Sequence, residues 1–119
     1  MPKILVVDDA AFMRMRCTKM LSENGYEVVE ASTGREAVEQ YKNQKPDAVL
    51  LDITMPDMDG LTALKELRLV DPNAKVAMVT AMGQQTVVME ALKAGARDFV
   101  VKPFDPARVL QAVQKILAA

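Results

Sequence analysis

Several short apolar stretches of this chain are each followed by a side chain that could bind a metal ion or react with a phosphoryl group. In chain order these side chains are Asp8 and Asp9, then Asp52, then Thr80, and finally Lys102. They comprise carboxylates, one hydroxyl and one ammonium group. Their shared position, directly after or at the end of an apolar stretch, makes them candidates for a single site.

These residue types suit transfer of a phosphoryl group to a carboxylate. Carboxylates that lie close together repel one another unless a cation sits between them. Such hard oxygen ligands suit Mg²⁺, which keeps several waters and binds one or two carboxylates together with a phosphate. Asp52 could then attack a phosphoryl group and form an aspartyl-phosphate. Lys102 and the Thr80 hydroxyl could stabilise charge on the phosphoryl oxygens.

Each candidate also has an ordinary structural explanation. A lone Asp after a strand commonly forms a turn, and Asp8 or Asp9 could simply cap a helix. Lys102 alone would be a solvated surface lysine, and Thr80 alone a β-branched residue at a strand end. The recurrence of all of them after successive apolar stretches favours the chemical interpretation.

The elements that must position these side chains alternate along the chain. Apolar, β-rich stretches predict strands at 4–7, 27–31, 48–52, 75–80 and 99–101. Segments with helical periodicity predict helices at 10–24, 34–43, 61–70, 84–94 and from 106 onward. This alternation predicts an α/β fold, a doubly wound parallel sheet with helices on both faces. Ligands of such sheets bind beyond the carboxyl ends of the strands, where the candidate side chains lie.

Composition narrows the class of protein further. The chain has 119 residues, enough for one domain, and half of them are apolar while only 4% are aromatic. We therefore expect an aliphatic core, filled in part by most of the nine Met. The net charge of -1 gives no indication of nucleic-acid binding, and the single Cys17 excludes an internal disulfide. Without a signal peptide or an apolar run of ~20 residues, we expect a cytoplasmic protein with no membrane partner.

The combined pattern resembles the response-regulator receiver family. The resemblance rests on VVDD at 6–9, LLDITMPDMDG at 50–60, TA at 80–81, AGA at 94–96 and VKPF at 101–104. It implies one receiver domain over residues 1–119, with five strands in the flavodoxin-like order 2-1-3-4-5. It also implies a two-component switch, in which a histidine kinase phosphorylates Asp52. Such a protein would catalyse only its own phosphorylation and dephosphorylation.

The resemblance implies a metal site as well. Asp9 and Asp52, with the backbone carbonyl of Thr54, would hold Mg²⁺. Asp8 would act mainly through a metal-bound water. Thr54 and Met82 flank the site and are neither acidic nor amide residues, so we predict a long-lived phosphoryl group unless a phosphatase acts.

By the same resemblance, Lys102 and Thr80 contact the phosphoryl group and report its presence. Phe99 stands at the aromatic switch position, although plain packing on the last strand is the alternative. Pro103 is expected to follow Lys102 through a cis bond, and Gly60 to open the turn into the third helix.

The expected partners follow from a similarity to stand-alone chemotaxis receivers in segments 9–14 and 81–85. With the chain ending at Ala119, we expect the signal to pass by protein binding, through the fourth helix, last strand and fifth helix. Met82, Met89 and Phe99 are expected to lie on or near that face. The partners would be a histidine kinase, a flagellar motor switch protein or another downstream protein, and a phosphatase. The alternative is a stand-alone receiver in a phosphorelay outside chemotaxis.

Rival classes fit the sequence less well. A flavodoxin-type flavin carrier needs a hydroxyl- and glycine-rich phosphate loop, whereas the loop here begins Asp8-Asp9. A haloacid-dehalogenase-like phosphatase needs a second Asp where Thr54 stands. A calcium loop over 55–66 would lack its first ligand, because Met55 occupies that position.

Overall fold

The computed structural model describes residues 1–53, 55, 58–81, 84–103 and 105–118, and strands and helices alternate throughout. The strands are β1 (Lys3–Val7), β2 (Glu27–Ala31), β3 (Ala48–Asp52), β4 (Val76–Ala81) and β5 (Asp98–Lys102). The helices are α1 (Ala11–Glu23), α2 (Gly34–Gln44), α3 (Gly60–Val70), α4 (Gln85–Lys93) and α5 (Pro106–Ala118). The predicted α/β alternation is confirmed, and no predicted boundary is shifted by more than one residue.

All five strands form one parallel sheet in the order β2-β1-β3-β4-β5, as the family resemblance implies. The strands begin together at one side of the sheet, here called the amino edge. They end together at the other side, here called the carboxyl edge. Asp52 is the last residue of β3 and Lys102 is the last residue of β5, so both lie at the carboxyl edge.

Two aliphatic clusters, built from alternate residues of the strands, hold the helices against the sheet. In β1, Leu5 and Val7 belong to one cluster, whereas Ile4 and Val6 belong to the other. This division follows from the two-residue side-chain period of a strand. Burial on both faces explains why β3 is buried along its whole length and reads as an unbroken apolar run.

The expectation that most methionines fill the core is wrong. Among the eight methionines that the structure describes, only Met55 and Met78 are buried. Met20 and Met58 are partly buried and pack against the clusters, whereas Met15 and Met89 are exposed. Leu, Val, Ile and Ala fill the space instead, since the narrow layers beside a parallel sheet accommodate short branched side chains.

Helix starts at the carboxyl edge are fixed by local hydrogen bonds. The Thr33 side chain caps α2 by accepting from the Glu36 amide, and Asp59 caps α3 by accepting from the Thr62 amide. At the amino edge, the last residue of α2 is Gln44. The C-cap residue Lys45 follows it in a left-handed backbone conformation with φ of 48°. Among the described residues, no helix is long and apolar enough to cross a membrane.

Candidate phosphoacceptor and metal site

The three aspartates expected at the carboxyl edge lie together. Each of Asp8, Asp9 and Asp52 offers a carboxylate oxygen, and these oxygens all lie within 4.8 Å of one another. Asp8 and Asp52 are buried, with 6% and 5% of their surfaces exposed, whereas Asp9 is exposed. Buried carboxylates at this separation repel one another strongly, so the cluster favours a cation. Its all-oxygen donor set fits Mg²⁺.

Lys102 supplies positive charge to this cluster from the end of β5. Its Nζ lies 3.2 Å from Asp8 Oδ2 and 3.3 Å from Asp52 Oδ2. Partial burial by itself would lower the pKa of Lys102, but the Asp52 and Asp8 carboxylates outweigh that effect and raise it. The Lys102 ammonium group is therefore fixed by ion pairs to Asp8 and Asp52, which excludes the alternative of a solvated surface lysine. The Lys102–Pro103 peptide bond is cis, as the resemblance implies.

The loop after β1 holds Asp8 in place. The Asp8 carboxylate accepts a hydrogen bond from the Ala10 amide at 2.9 Å, and Arg14 Nη1 donates to the Asp8 carbonyl at 2.7 Å. Arg14 also bonds to Glu30 through its Nε at 3.0 Å, which connects α1 to β2. Helix α1 begins after Ala10 with no side-chain cap. The alternative that Asp8 or Asp9 serves as the helix cap is therefore not supported.

A glycine allows α3 to begin directly beside the end of β3. The Gly60 amide donates to the Ile53 carbonyl at 2.7 Å. A Cβ at Gly60 would collide with the Asp52 carbonyl oxygen and lie 2.5 Å from the Ile53 Cα. Gly60 is thus required by the close approach of the backbone where α3 begins.

Thr80 lies near the end of β4 and is 2% exposed. Its hydroxyl donates to Gln84 Oε1 at 2.9 Å, with the Ala81 carbonyl at 3.1 Å as a second acceptor. The same Gln84 oxygen accepts from the Ala81 amide at 2.9 Å. The part played by Gln84 could not be predicted from the sequence, where it is one of two adjacent glutamines at a helix start.

Phe99 lies on β5 beside a pocket of about 400 Å³ between β4, α4 and β5. It is partly buried and packs against one of the core clusters. Thr80, Val88 and Met89 also line this pocket, whose surface is almost entirely apolar. Met89 and Val101 are exposed large apolar residues, so an apolar surface lies next to the site.

An ion pair that the sequence did not indicate joins buried Asp98 of β5 to partly exposed Arg108 of α5. Arg108 lies 3.3 Å from Asp98 Oδ1, and Lys115 lies 3.8 Å from the same oxygen. Arg108 also donates to the Phe99 carbonyl at 2.7 Å. No local pattern signals this contact, because it joins residues of two elements whose docking angle is set by the core.

Two expected residues lie outside the part of the chain that the structure describes. These are Thr54, whose carbonyl is an expected metal ligand, and Met82, which is expected to flank the phosphoryl group. The other expected metal-binding and phosphoryl-binding residues, Asp8, Asp9, Asp52, Thr80 and Lys102, all lie within two residues of the carboxyl ends of their strands. Fold and site together define an α/β domain whose parallel sheet carries an acidic centre at its carboxyl edge.

Comparison with known proteins identifies the family. Residues 4–114 match the family model described as response regulator receiver domain. The chain is 57% identical to the chemotaxis protein CheY of Thermotoga maritima, over 96% of each chain. It is also 57% identical to CheY of Bacillus subtilis, over 97% of each chain. A CheX–CheY–BeF₃–Mg²⁺ complex from Borrelia burgdorferi matches with a TM-score of 0.91 and 42% identity, covering 96% of this chain and 87% of that one.

The chain therefore belongs to the response-regulator receiver family. Members of this family are generally phosphoryl-accepting switches rather than enzymes. The extent of the similarity to two chemotaxis proteins supports the role of a chemotaxis response regulator in a two-component system. The alternative of a phosphorelay outside chemotaxis has weaker support, because the sporulation initiation phosphotransferase F of Bacillus subtilis is 36% identical over 97% of this chain and 93% of that one.

Proposed function

We propose that Asp52 is the phosphoacceptor of this response regulator. One Asp52 carboxylate oxygen attacks phosphorus while the bond to the phosphohistidine nitrogen of a kinase breaks. The nitrogen leaves with the bonding electron pair, and an aspartyl-phosphate remains. The observation that carries this proposal is the approach of the Asp8, Asp9 and Asp52 oxygens to within 4.8 Å, with Lys102 Nζ contacting two of the three residues.

The acidic cluster is proposed to hold Mg²⁺ when the protein is active. Asp9 and Asp52 would bind the ion, with the Thr54 carbonyl as a third protein ligand, and Asp8 would act through a bound water. When bound, the ion would neutralise negative charge on the carboxylates and on the incoming phosphoryl oxygens. Asp9 suits direct ligation because it is exposed and makes no hydrogen bond or ion pair with any described residue.

Lys102 and Thr80 are proposed to bind the phosphoryl oxygens. Lys102 already contacts Asp52 Oδ2, so its ammonium group need move only slightly to follow charge onto a phosphoryl oxygen. Thr80 carries a hydroxyl in the same buried region and lies beside Val101, the neighbour of Lys102 in β5. These two contacts would convert the covalent change at Asp52 into movement of β4 and β5.

The proposed output surface consists of α4, β5 and α5. Its exposed apolar residues include Met89, Leu92 and Val101, and Phe99 lines the adjoining pocket as the proposed aromatic switch. A phenylalanine ring lacks a hydroxyl, so its change of position would be read through apolar contact. The proposed downstream partner is a flagellar motor switch protein. The proposed upstream partner is a histidine kinase, with a phosphatase to end the signal.

The test is the intact mass of the protein after incubation with Mg²⁺ and acetyl phosphate. We expect one added phosphoryl group on the wild type, and none on Asp52→Asn or after chelation of the metal. Asp47→Asn is a matched control, because Asp47 directly precedes β3 whereas Asp52 ends it. It should be phosphorylated like the wild type.

Two results would contradict the proposal. One is an adduct that persists on Asp52→Asn, which would place the phosphoryl group elsewhere. The other is a wild type that neither gains a phosphoryl group nor binds fluoroberyllate in the presence of Mg²⁺.

Two further expectations stay predictions. They are the long phosphoryl lifetime expected from Thr54 and Met82, and the cytoplasmic location.

A further inference from the structure

The hydroxyl of Thr80 is already engaged by a side chain outside the acidic cluster. Gln84 Oε1 lies 2.9 Å from Thr80 Oγ1 and 2.9 Å from the Ala81 amide nitrogen. One amide oxygen thus accepts from two consecutive residues at the end of β4. Because an amide oxygen has two lone pairs, it can accept both hydrogen bonds at once.

A threonine hydroxyl has a single proton to donate. In this structure the acceptors for that proton are Gln84 Oε1 and the Ala81 carbonyl. A hydroxyl that donates to a phosphoryl oxygen on Asp52 cannot donate to Gln84 at the same time. Under the proposed function, on which this inference rests, phosphorylation and the Thr80–Gln84 hydrogen bond exclude each other.

Gln84 is also placed to transmit the change. It directly precedes α4, whose first residue is Gln85, and its side chain gives α4 no capping hydrogen bond. Its side-chain oxygen instead accepts hydrogen bonds from the end of β4. Gln84 and Thr80 line the same apolar pocket as Phe99. Release of the Gln84 side chain would alter that pocket at the proposed output surface.

We propose that Gln84 is a positioning residue that holds the Thr80 hydroxyl in the unphosphorylated conformation and opposes activation. In this arrangement, part of the free energy of phosphoryl binding is needed to break the Thr80–Gln84 hydrogen bond. Loss of the Gln84 amide would remove one of the two acceptors of the Thr80 hydroxyl, so donation to the phosphoryl group would cost less and the active conformation would be more accessible.

The test is the apparent dissociation constant for fluoroberyllate, a phosphoryl analogue, measured by NMR titration of the whole chain at saturating Mg²⁺. We expect Gln84→Ala to bind about three- to tenfold more tightly than the wild type, the equivalent of one hydrogen bond. Gln84→Glu keeps an acceptor oxygen at the same place and should bind no more tightly than the wild type. Gln85→Ala is the matched control and should not differ from the wild type.

A double-mutant cycle separates this role from a general loosening of the loop. In a Thr80→Ala background there is no hydroxyl to hold, so Gln84→Ala should leave fluoroberyllate affinity unchanged. An equal gain in both backgrounds would overturn the proposal. So would a Gln84→Ala protein that binds like the wild type.

Hydrogen exchange at Ala81 distinguishes failure of the Gln84 role from failure of the proposed function. In the ligand-free protein, Gln84→Ala removes the acceptor of the Ala81 amide, so hydrogen exchange at Ala81 should become faster. A wild type that does not bind fluoroberyllate would overturn the proposed function. Normal fluoroberyllate binding with unchanged Ala81 exchange in Gln84→Ala would overturn the role of Gln84 alone.

Discussion

At the amino edge of the sheet, each aspartate is matched by a donor within the fold. The Asp47 carboxylate accepts from the Lys3 amide at 2.7 Å, and Asp71 accepts from the Tyr41 hydroxyl at 2.8 Å. At the carboxyl edge, by contrast, three aspartates crowd together and one lysine contacts two of them. Hydrogen-bonded carboxylates stabilise the fold, whereas a cluster of unneutralised carboxylates is tolerated where an external cation can bind.

The largest expected effect concerns backbone packing at the two edges. Gly60→Ala places a methyl group against the backbone of Asp52 and Ile53, and we expect the free energy of unfolding to fall by about 3 kcal/mol. Gly25, at the amino edge, has φ of +88° and open space around its missing Cβ. Gly25→Ala should therefore cost only about 1 kcal/mol, from backbone strain.

Urea denaturation of the two alanine variants measures this difference. A Gly25→Ala protein that is as destabilised as Gly60→Ala would contradict the prediction, because the close approach beside Asp52 would then have no special cost. Gly60→Ala should also reduce phosphorylation, since relief of the clash must displace the end of β3.

The next expected effect is at the amino edge, where Tyr41 donates to Asp71. Tyr41→Phe should lower the free energy of unfolding by about 1 kcal/mol, the net value of one hydrogen bond. It should leave phosphorylation unchanged, because Tyr41 is at the opposite edge from Asp52. Thermal or urea unfolding and the mass assay check the two statements.

The contribution of this pair should depend on pH. The Asn73 amide and then the Tyr41 hydroxyl lower the pKa of Asp71. The Asp71 carboxylate therefore stabilises the fold at pH values above the ordinary aspartate pKa, and this stabilisation is lost as the pH falls through the lowered pKa. Burial and then the Asp71 hydrogen bond raise the pKa of Tyr41, so stability is lost as pH rises beyond about 10. The stability gap between wild type and Tyr41→Phe should therefore narrow at both extremes. A gap that is constant with pH would contradict the role of the pair.

Much of this architecture could be predicted from the sequence, for reasons that particular residues show. The buried run Ala48–Asp52 has no polar residue before its end, so it identifies both a central strand and the point where chemistry begins. Strand ends of a parallel sheet meet at one edge, so the meeting of Asp8, Asp52 and Lys102 follows from topology alone.

What could not be predicted depends on tertiary geometry. The Thr80–Gln84 hydrogen bond needs the conformation of a loop, and the Arg108–Asp98 pair needs the docking angle of α5 on β5. The methionine prediction failed because composition does not specify which face of a helix a residue occupies. Met15 and Cys17 are two positions apart on α1, yet the first is exposed and the second is buried.

The smallest expected effect compares single carboxylates at the two edges. Asp9→Asn removes one of three crowded negative charges, and because Asp9 is exposed the gain should be about 0.5 kcal/mol without divalent ions. Asp71→Asn removes a carboxylate that accepts from the Tyr41 hydroxyl and the Asn73 amide, so stability should fall instead. The two variants make the same chemical change and should shift the unfolding midpoint in opposite directions.

Added Mg²⁺ should increase the difference in unfolding midpoint between the variants at the two edges. It should raise the unfolding midpoint of the wild type and of Asp71→Asn, because both keep the complete acidic cluster. It should raise that of Asp9→Asn much less, since one proposed ligand is missing. If Asp9→Asn were destabilising without Mg²⁺ and still fully stabilised by the ion, the Asp9 carboxylate would stabilise the fold as Asp47 and Asp71 do, and would not be a metal ligand. The contrast between the two edges would then rest on Asp8, Asp52 and Lys102 alone.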